Sequence, residues 1–428
     1  MTASDTHRAI DAVWRMESPK VIAGLARMVR DVGIAEDLAQ DALVAALEQW
    51  PDSGVPRNPG AWLMAAAKHR AIDYFRRNTM LHRKHEQLVH ELERLEWTAP
   101  DYDTALDAEA GRADDVGDDL LRLIFTACHP VLSAEARVAL TLRLLGGLTS
   151  DEIARAFLVP EPTIAQRIVR AKRTLTKEQV PFEVPRGADR HARLSSVLEV
   201  VYLIFNEGYS ATAGDEWMRP ALCEDALRLG RILAELVPQE AEVHGLVALM
   251  EIQASRARAR VNQSGEPILL IDQNRAQWDH LLIRRGLTAL SRAEALGGPV
   301  GKYAVQASIA ACHARARTAE ETDWSLIARL YADLAAIAPS PIIDLNRAVA
   351  VGMALGPAAG LEIVDTLTSL RSMAGYHLLP AVRGDLLSKL DRRDEARAEF
   401  ERAASLTRNA RERTLLLGRA AACSGPAA

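Results

Sequence analysis

The 428-residue chain is poor in aromatic residues, at 5%, and has four cysteines, none of them in a CxxC pair. Cys128, Cys223, Cys312 and Cys423 lie far apart, which excludes a disulfide scaffold or a zinc knuckle and fits a reducing compartment. No apolar run approaches the ~20 residues of a membrane span. The start, MTASDTHRAIDAVWRM, lacks the basic residues and apolar core of a signal peptide, so a cytoplasmic location is expected. Charge of one sign is scarce too: the formal net charge is −5, and any nucleic-acid site must be a local basic patch. No G-x-x-x-x-G-K-[ST] loop, G-x-S-x-G elbow or H-E-x-x-H pair occurs, so neither a catalytic residue nor a cofactor is expected. Cys128-His129 and Cys312-His313 are the nearest approach to metal ligands. Neighbours on a helix point about 100° apart and rarely share a metal, so no metal site is assigned either.

What remains is the vocabulary of helices. Ala, Leu, Arg and Glu dominate, 49% of residues are hydrophobic and 25% are charged, which together point to an all-α globular chain. The length allows about three domains. Charge divides the first part. Lys68, Arg70, Arg76, Arg77, Arg83 and Lys84 face only Asp73. From Glu86 to Asp119 the balance reverses, with Arg94 and Arg112 alone among the acids, and TAPDYDTALDAEAGRADDVGDD reads as a linker. From Pro162 to Lys177 the chain is basic again.

The strongest local pattern runs from Ser133 to Leu175. Thr149-Ser150-Asp151-Glu152 is a capping box that opens a short helix holding Ile153 and Phe157. A break at Leu158-Val159-Pro160 follows, without the usual turn glycine. In the next helix Ile164, Ile168, Ala171 and Leu175 share one face, while Gln166, Arg170 and Arg173 point the other way. This is the pattern of a helix-turn-helix whose outer face suits phosphates and base edges. A second helical unit fills residues 1–77. Ile10, Val13, Trp14, Val21, Ile22, Leu25 and Val29 give an amphipathic start, and DLAQDAL (Asp37–Leu43) sets polar groups beside a leucine ridge. The helix from Trp62 ends in Arg70, Asp73, Tyr74, Phe75, Arg76 and Arg77. Aromatics among arginines can stack on unpaired bases, although Trp62 and Phe75 taken singly suit a core.

DLAQDAL, NPGAWLMAAAKHRAIDYFRR and LSAEARVALTLRLLGGLTSDEIARAFLVPEPTIAQRIVRAKRTL together resemble the sigma-70 family, and within it the extracytoplasmic-function group, over residues 8–77 and 119–177. The resemblance implies a bacterial alternative sigma factor, not an enzyme, that binds the clamp helices and flap of core RNA polymerase together with double-stranded and melted promoter DNA. It implies region 2 at 1–80, an acidic linker at 81–118 and region 4 at 119–180. Asp37, Leu38, Gln40 and Asp41 would meet polymerase. Trp62, Lys68, Arg70, Asp73, Tyr74, Arg76 and Arg77 would take the −10 element. Thr163, Gln166, Arg167, Arg170, Lys172 and Arg173 would read the −35 element. The acidic linker would thread polymerase's basic RNA channel. His69 stands where these factors commonly have Asn, and Ala165 where the recognition helix often has Lys.

Beyond Pro185, helical patterns run on to the C-terminus. Ile342–Leu355 with Pro357–Leu370 and Tyr376–Leu390 with Asp394–Leu406 form pairs spaced near the ~34-residue tetratricopeptide period. YLIFNEGYSAT (Tyr202–Thr212), Thr322-Asp323-Trp324 and SPIIDLNRAV (Ser340–Val349) resemble a subgroup of these factors with a tetratricopeptide-like extension. The expected fold is two helical sigma modules followed by a helical superhelix at 186–428. That superhelix would regulate the sigma modules in cis through an intramolecular contact. Two rivals differ in kind. An enzyme would place Asn206, Glu207, Asp344 and Asn346 in a pocket. A helix-turn-helix regulator with a helical sensor would act without polymerase, and would have no use for the Asp37–Arg77 segment.

Overall fold

The computed structural model describes residues 3–81, 113–211, 214–262, 265–298 and 300–424. Among the described residues there are 18 α-helices, a few 3-10 turns and no strand, so the chain is all-α. Most of the 81–118 linker lies outside the described residues. The chain divides into two compact units, Met1–Val201 and Tyr202–Ala428.

In the first unit, α1 (Ala3–Val29), α2 (Val32–Ser53) and α3 (Pro59–Leu81) pack on one another. Asp31 caps α2, its carboxylate accepting from the amide of Ile34 at 2.9 Å. Ile10, Ile22, Leu25, Leu38, Trp50, Leu63 and Phe75 fill the core between them. Then come α4 (Ala113–Ala127), α5 (Ala134–Leu144), α6 (Ser150–Phe157) and α7 (Glu161–Lys177). The last part of the acidic stretch therefore belongs to a helix, and α4 packs on α1. Asp119 is buried there, paired with Arg122 at 2.6 Å and Arg27 at 3.3 Å. Its charge is held within the fold.

The capping box forms as the spacing predicts: the Thr149 hydroxyl accepts from the Glu152 amide, and Glu152 accepts from the Thr149 amide at 2.8 Å. The turn glycine is replaced by Leu158 in the left-handed conformation, φ 51° and ψ 42°. Its side chain is 54% exposed, so the strain has little packing to offset it. Leu158→Gly is expected to stabilise the protein by about 0.5–1 kcal/mol, read as a higher urea midpoint, because glycine meets no Cβ penalty there. A positive φ of 70° at Gly147 lets that loop approach α1, where a Cβ would stand 3.2 Å from the Cα of Arg15.

The division between units falls inside α8 (Gly187–Tyr209) rather than at residue 186. The reason is specific bonding. Arg193 donates to the carbonyl of Phe125 at 3.0 Å and Ser196 to that of Cys128 at 2.7 Å, which satisfies acceptors at and just beyond the C-terminal end of α4. Arg137 of α5 pairs with Glu199 at 3.1 Å.

The second unit continues through α9 (Pro220–Leu236), α10 (Ala241–Ala254), α11 (His280–Leu296), α12 (Lys302–Arg315), α13 (Trp324–Ile337) and α14 (Pro341–Leu355). It ends with α15 (Pro357–Leu367), α16 (Leu378–Lys389), α17 (Arg393–Leu406) and α18 (Ala410–Cys423). Consecutive helices pack in chain order, α14 on α15 and α16 on α17 among them. A Cβ on Gly360 would lie 2.6 Å from the carbonyl oxygen of Ala348, so α14 and α15 meet backbone to backbone. Asn409 ties the two ends of this unit together. Its side chain donates to the carbonyls of Ala211 at 3.2 Å and Glu216 at 2.9 Å, and accepts from the first amides of α18.

Candidate nucleic-acid interface

The outward face of α7 is as the periodicity predicts. Ile164, Ile168, Ala171 and Leu175 are buried, whereas Thr163, Gln166, Arg170 and Arg173 are exposed. Arg170 and Arg173 form no ion pair among the described residues, so the fold makes no use of their charge. Arg167 is half-buried. Lys172 departs from the expected face. Its ammonium lies 2.6 Å from Glu36 and 3.7 Å from Asp37, both on α2.

On α3, Arg70, Asp73 and Arg76 are exposed, Lys68 and Tyr74 half-buried. Trp62 stands edge-on to the buried Trp50, with ring centroids 5.3 Å apart, and Phe75 is buried. Of the aromatic members of this segment Phe75 is buried while Trp62 and Tyr74 are half-buried, and its exposed arginines among the described residues are Arg70 and Arg76. The side chain of Arg77 lies outside the described residues.

On α2, Asp37 and Asp41 are exposed and Gln40 is half-buried. Leu38 is 7% exposed and belongs to the core, because DLAQDAL places it one position round the helix from Asp37. That leaves Asp37 and Asp41, with the half-buried Gln40, as the polar surface of the segment.

One residue of this region escaped the sequence reading. Glu36 is 3% exposed and sits between Arg143 of α5 at 2.6 Å and Lys172 of α7 at 2.6 Å. Its signal was present: Val32, Glu36 and Ala39 follow i, i+4, i+7 spacing, which puts an acid on an otherwise apolar ridge. Around it, Thr176 donates to Asp31 at 2.8 Å, and Arg15 of α1 pairs with Glu152 of α6. The helix-turn-helix and the α1–α3 bundle are therefore clasped together.

The rival pocket residues are paired or exposed. Glu207 is buried in an ion pair with Arg219, Asp344 pairs with Arg347 at 3.1 Å on its own helix, and Asn206 and Asn346 are exposed. Cys128 is buried, which pushes its thiol up to about 11. Burial, reinforced by Arg256 and Arg275, lowers His313 to about 4.

A capped helix-turn-helix with exposed arginines, joined to a helical bundle that presents further arginines and carboxylates, defines a DNA-binding regulator of transcription. Residues 13–80 match sigma-70 region 2, residues 122–175 match sigma-70 region 4, and residues 193–294 match a family of unknown function (DUF6596). The chain belongs to the sigma-70 family, and the order of its three parts fits an ECF-like sigma factor with a C-terminal extension. An uncharacterised protein of Rhizobium meliloti (strain 1021) is 42% identical over 406 residues, covering 94% of this chain and 93% of the relative. No solved structure matches the chain.

Proposed function

We propose that the chain is an alternative sigma factor of the extracytoplasmic-function group, acting in the bacterial cytoplasm, that brings core RNA polymerase to promoters. The observation that carries this reading is the pairing of two modules in one chain. One is the α7 face of Thr163, Gln166, Arg170 and Arg173, suited to the −35 element; the other is the α2–α3 surface of Asp37, Asp41, Arg70 and Arg76. Duplex readout suits arginine forks toward guanine and glutamine toward adenine. The carboxylates of α2 would meet the clamp helices, α7 the flap-side −35 duplex, and α3 the melted −10 strand. The sigma subunit breaks no bond, and strand separation would draw on binding energy while polymerase performs the chemistry.

The C-terminal unit, which we read as tetratricopeptide-like, would regulate these modules in cis. The matched extension begins at residue 193, and its Arg193, Ser196 and Glu199 bond to α4 and α5 within the first unit. Regulation would thus reach region 4 through α8.

Run-off transcription with sigma-free core polymerase on a genomic promoter library tests the reading. Transcripts sharing a −10 and −35 pair are the expected result. Silence combined with tight duplex binding in the absence of polymerase would replace it with a stand-alone helix-turn-helix regulator. A chain ending at Val201, the limit of the first unit, tests the cis arm. Identical transcription with and without residues 202–428 would remove it.

A further inference from the structure

We infer that the C-terminal unit holds a binding site for a phosphoryl group, built from Arg256, Arg260 and Arg275 around the rings of Tyr209 and Trp278. All five residues lie within this unit, and none belongs to the proposed promoter-reading face of α7. Arg256 and Arg260 are 7% and 8% exposed, and Arg275 is half-buried. None of the three forms an ion pair with a carboxylate among the described residues. Taking a guanidinium out of water without a counter-charge is costly, and buried cations in native folds are paired or hold a ligand.

The three cations form one cluster. The guanidinium carbons of Arg260 and Arg256 lie 3.5 and 5.8 Å from the centroid of Tyr209. Those of Arg275 and Arg256 lie 4.8 and 5.9 Å from that of Trp278. Arg256 thus shares one ring with each neighbour. Burial lowers the pKa of Arg260 and of Arg275, and repulsion from Arg256 adds to it in both.

Helix ends account for part of this charge. Arg260 donates to the carbonyl of Tyr209, the last residue of α8, and Arg275 to those of His313 and Ala316 at the end of α12. Such contacts with the negative end of a helix dipole offset a fraction of a charge each. Arg256 has no equivalent. It donates to the side-chain oxygen of Gln253, a neutral amide that supplies no counter-charge, and its Nε–H is buried with no acceptor. The indole Nε1–H of Trp278 is also buried with no acceptor. Glu320 and Glu321 attract Arg275 from a distance, but Glu321 accepts from the Arg317 amide instead.

A site of donors without a matching acceptor takes an anion. Two features select its class. Guanidinium forks match the oxygens of phosphate and carboxylate alike. Three positive charges with no ion-paired carboxylate among the described residues suit a dianion better than a monoanion, which points to phosphate, either free or as the end of a phosphorylated organic molecule. His313, held neutral at the edge of the cluster, adds no competing charge.

Calorimetric titration of the full chain with inorganic phosphate, glycerol phosphate and acetate at fixed ionic strength tests the site. One phosphoryl group per chain should bind, with acetate silent. Tighter binding of glycerol phosphate identifies the source as a phosphate ester, and tighter binding of inorganic phosphate identifies it as the free ion. Arg256→Gln should weaken binding about tenfold or more, and Trp278→Phe, which keeps the ring but loses the donor, about two- to tenfold. Unliganded melting temperatures and circular dichroism check that each variant folds; should Arg256→Gln not fold, Trp278→Phe decides. Absence of binding by both phosphates, equal binding of acetate, or unchanged affinity in the folded variants would overturn the site.

Discussion

Reversing the charge of both Arg170 and Arg173 to glutamate is expected to abolish transcription that depends on the −35 element while leaving affinity for core polymerase intact. Each arginine stands on the exposed face of α7 and takes part in no ion pair among the described residues, so the fold loses nothing when they change. A good arginine–base fork contributes about 1–3 kcal/mol, and each reversal adds repulsion from phosphate. Two losses together amount to a fall in promoter affinity on the order of 10²–10⁴-fold. Run-off transcription and filter binding measure the promoter arm, and sedimentation with core polymerase measures the other. Parallel loss of both would mean that α7 also docks on polymerase, and would withdraw the division of labour between α2 and α7. Lys172 provides the contrast, because its ammonium is already committed to Glu36 and Asp37.

The same contrast shows what a sequence discloses. The face of α7 was legible because helical period sorts Ile164, Ile168, Ala171 and Leu175 from Gln166, Arg170 and Arg173 without reference to anything distant. The capping box at Thr149 and Glu152 was legible for the same reason. Lys172 lies at the margin of that face, and its partner is on α2, more than a hundred residues earlier; no local rule pairs them. The acidic stretch misled at its end. Asp118 and Asp119 read as linker by charge, yet Arg27 and Arg122 neutralise Asp119 and let Leu120, Leu123 and Ile124 carry α4 into the core. Likewise Gly187 to Val201 reads as the start of a new domain, while Arg193 and Ser196 fasten it to the end of α4. The arginine cluster around Tyr209 and Trp278 has no sequence signature, since its members come from three separate segments brought together only by folding.

Glu36→Gln is expected to open the clasp between the helix-turn-helix and the α1–α3 bundle, and thereby to strengthen binding to core polymerase. Promoter positions −35 and −10 are about 25 base pairs apart, or about 85 Å of duplex at the B-form rise of one turn per 34–36 Å. A compact unit of 201 residues has a radius of gyration near 17 Å and a diameter of about 45 Å. The two modules cannot span the promoter while Lys172 touches Glu36 at 2.6 Å. Residues 82–112 would reach about 100 Å if fully extended, so the chain length permits separation. Opening must then break Glu36 from both Arg143 and Lys172, and apparent polymerase affinity scales with the open fraction. Breaking a buried pair by removing one partner costs about 3–5 kcal/mol; the roughly one-fifth exposure of both cations reduces this to about 2–3 kcal/mol. That corresponds to a shift toward the open form of about 30- to 150-fold. Small-angle scattering should show a larger radius of gyration for the variant, and core polymerase should bind it more tightly. Arg143→Gln, on a helix that carries neither proposed contact surface, should reproduce both effects. Unchanged scattering and affinity in the two variants would show that the clasp does not limit opening. Weaker polymerase binding by Glu36→Gln alone would instead place Glu36 itself against the clamp helices.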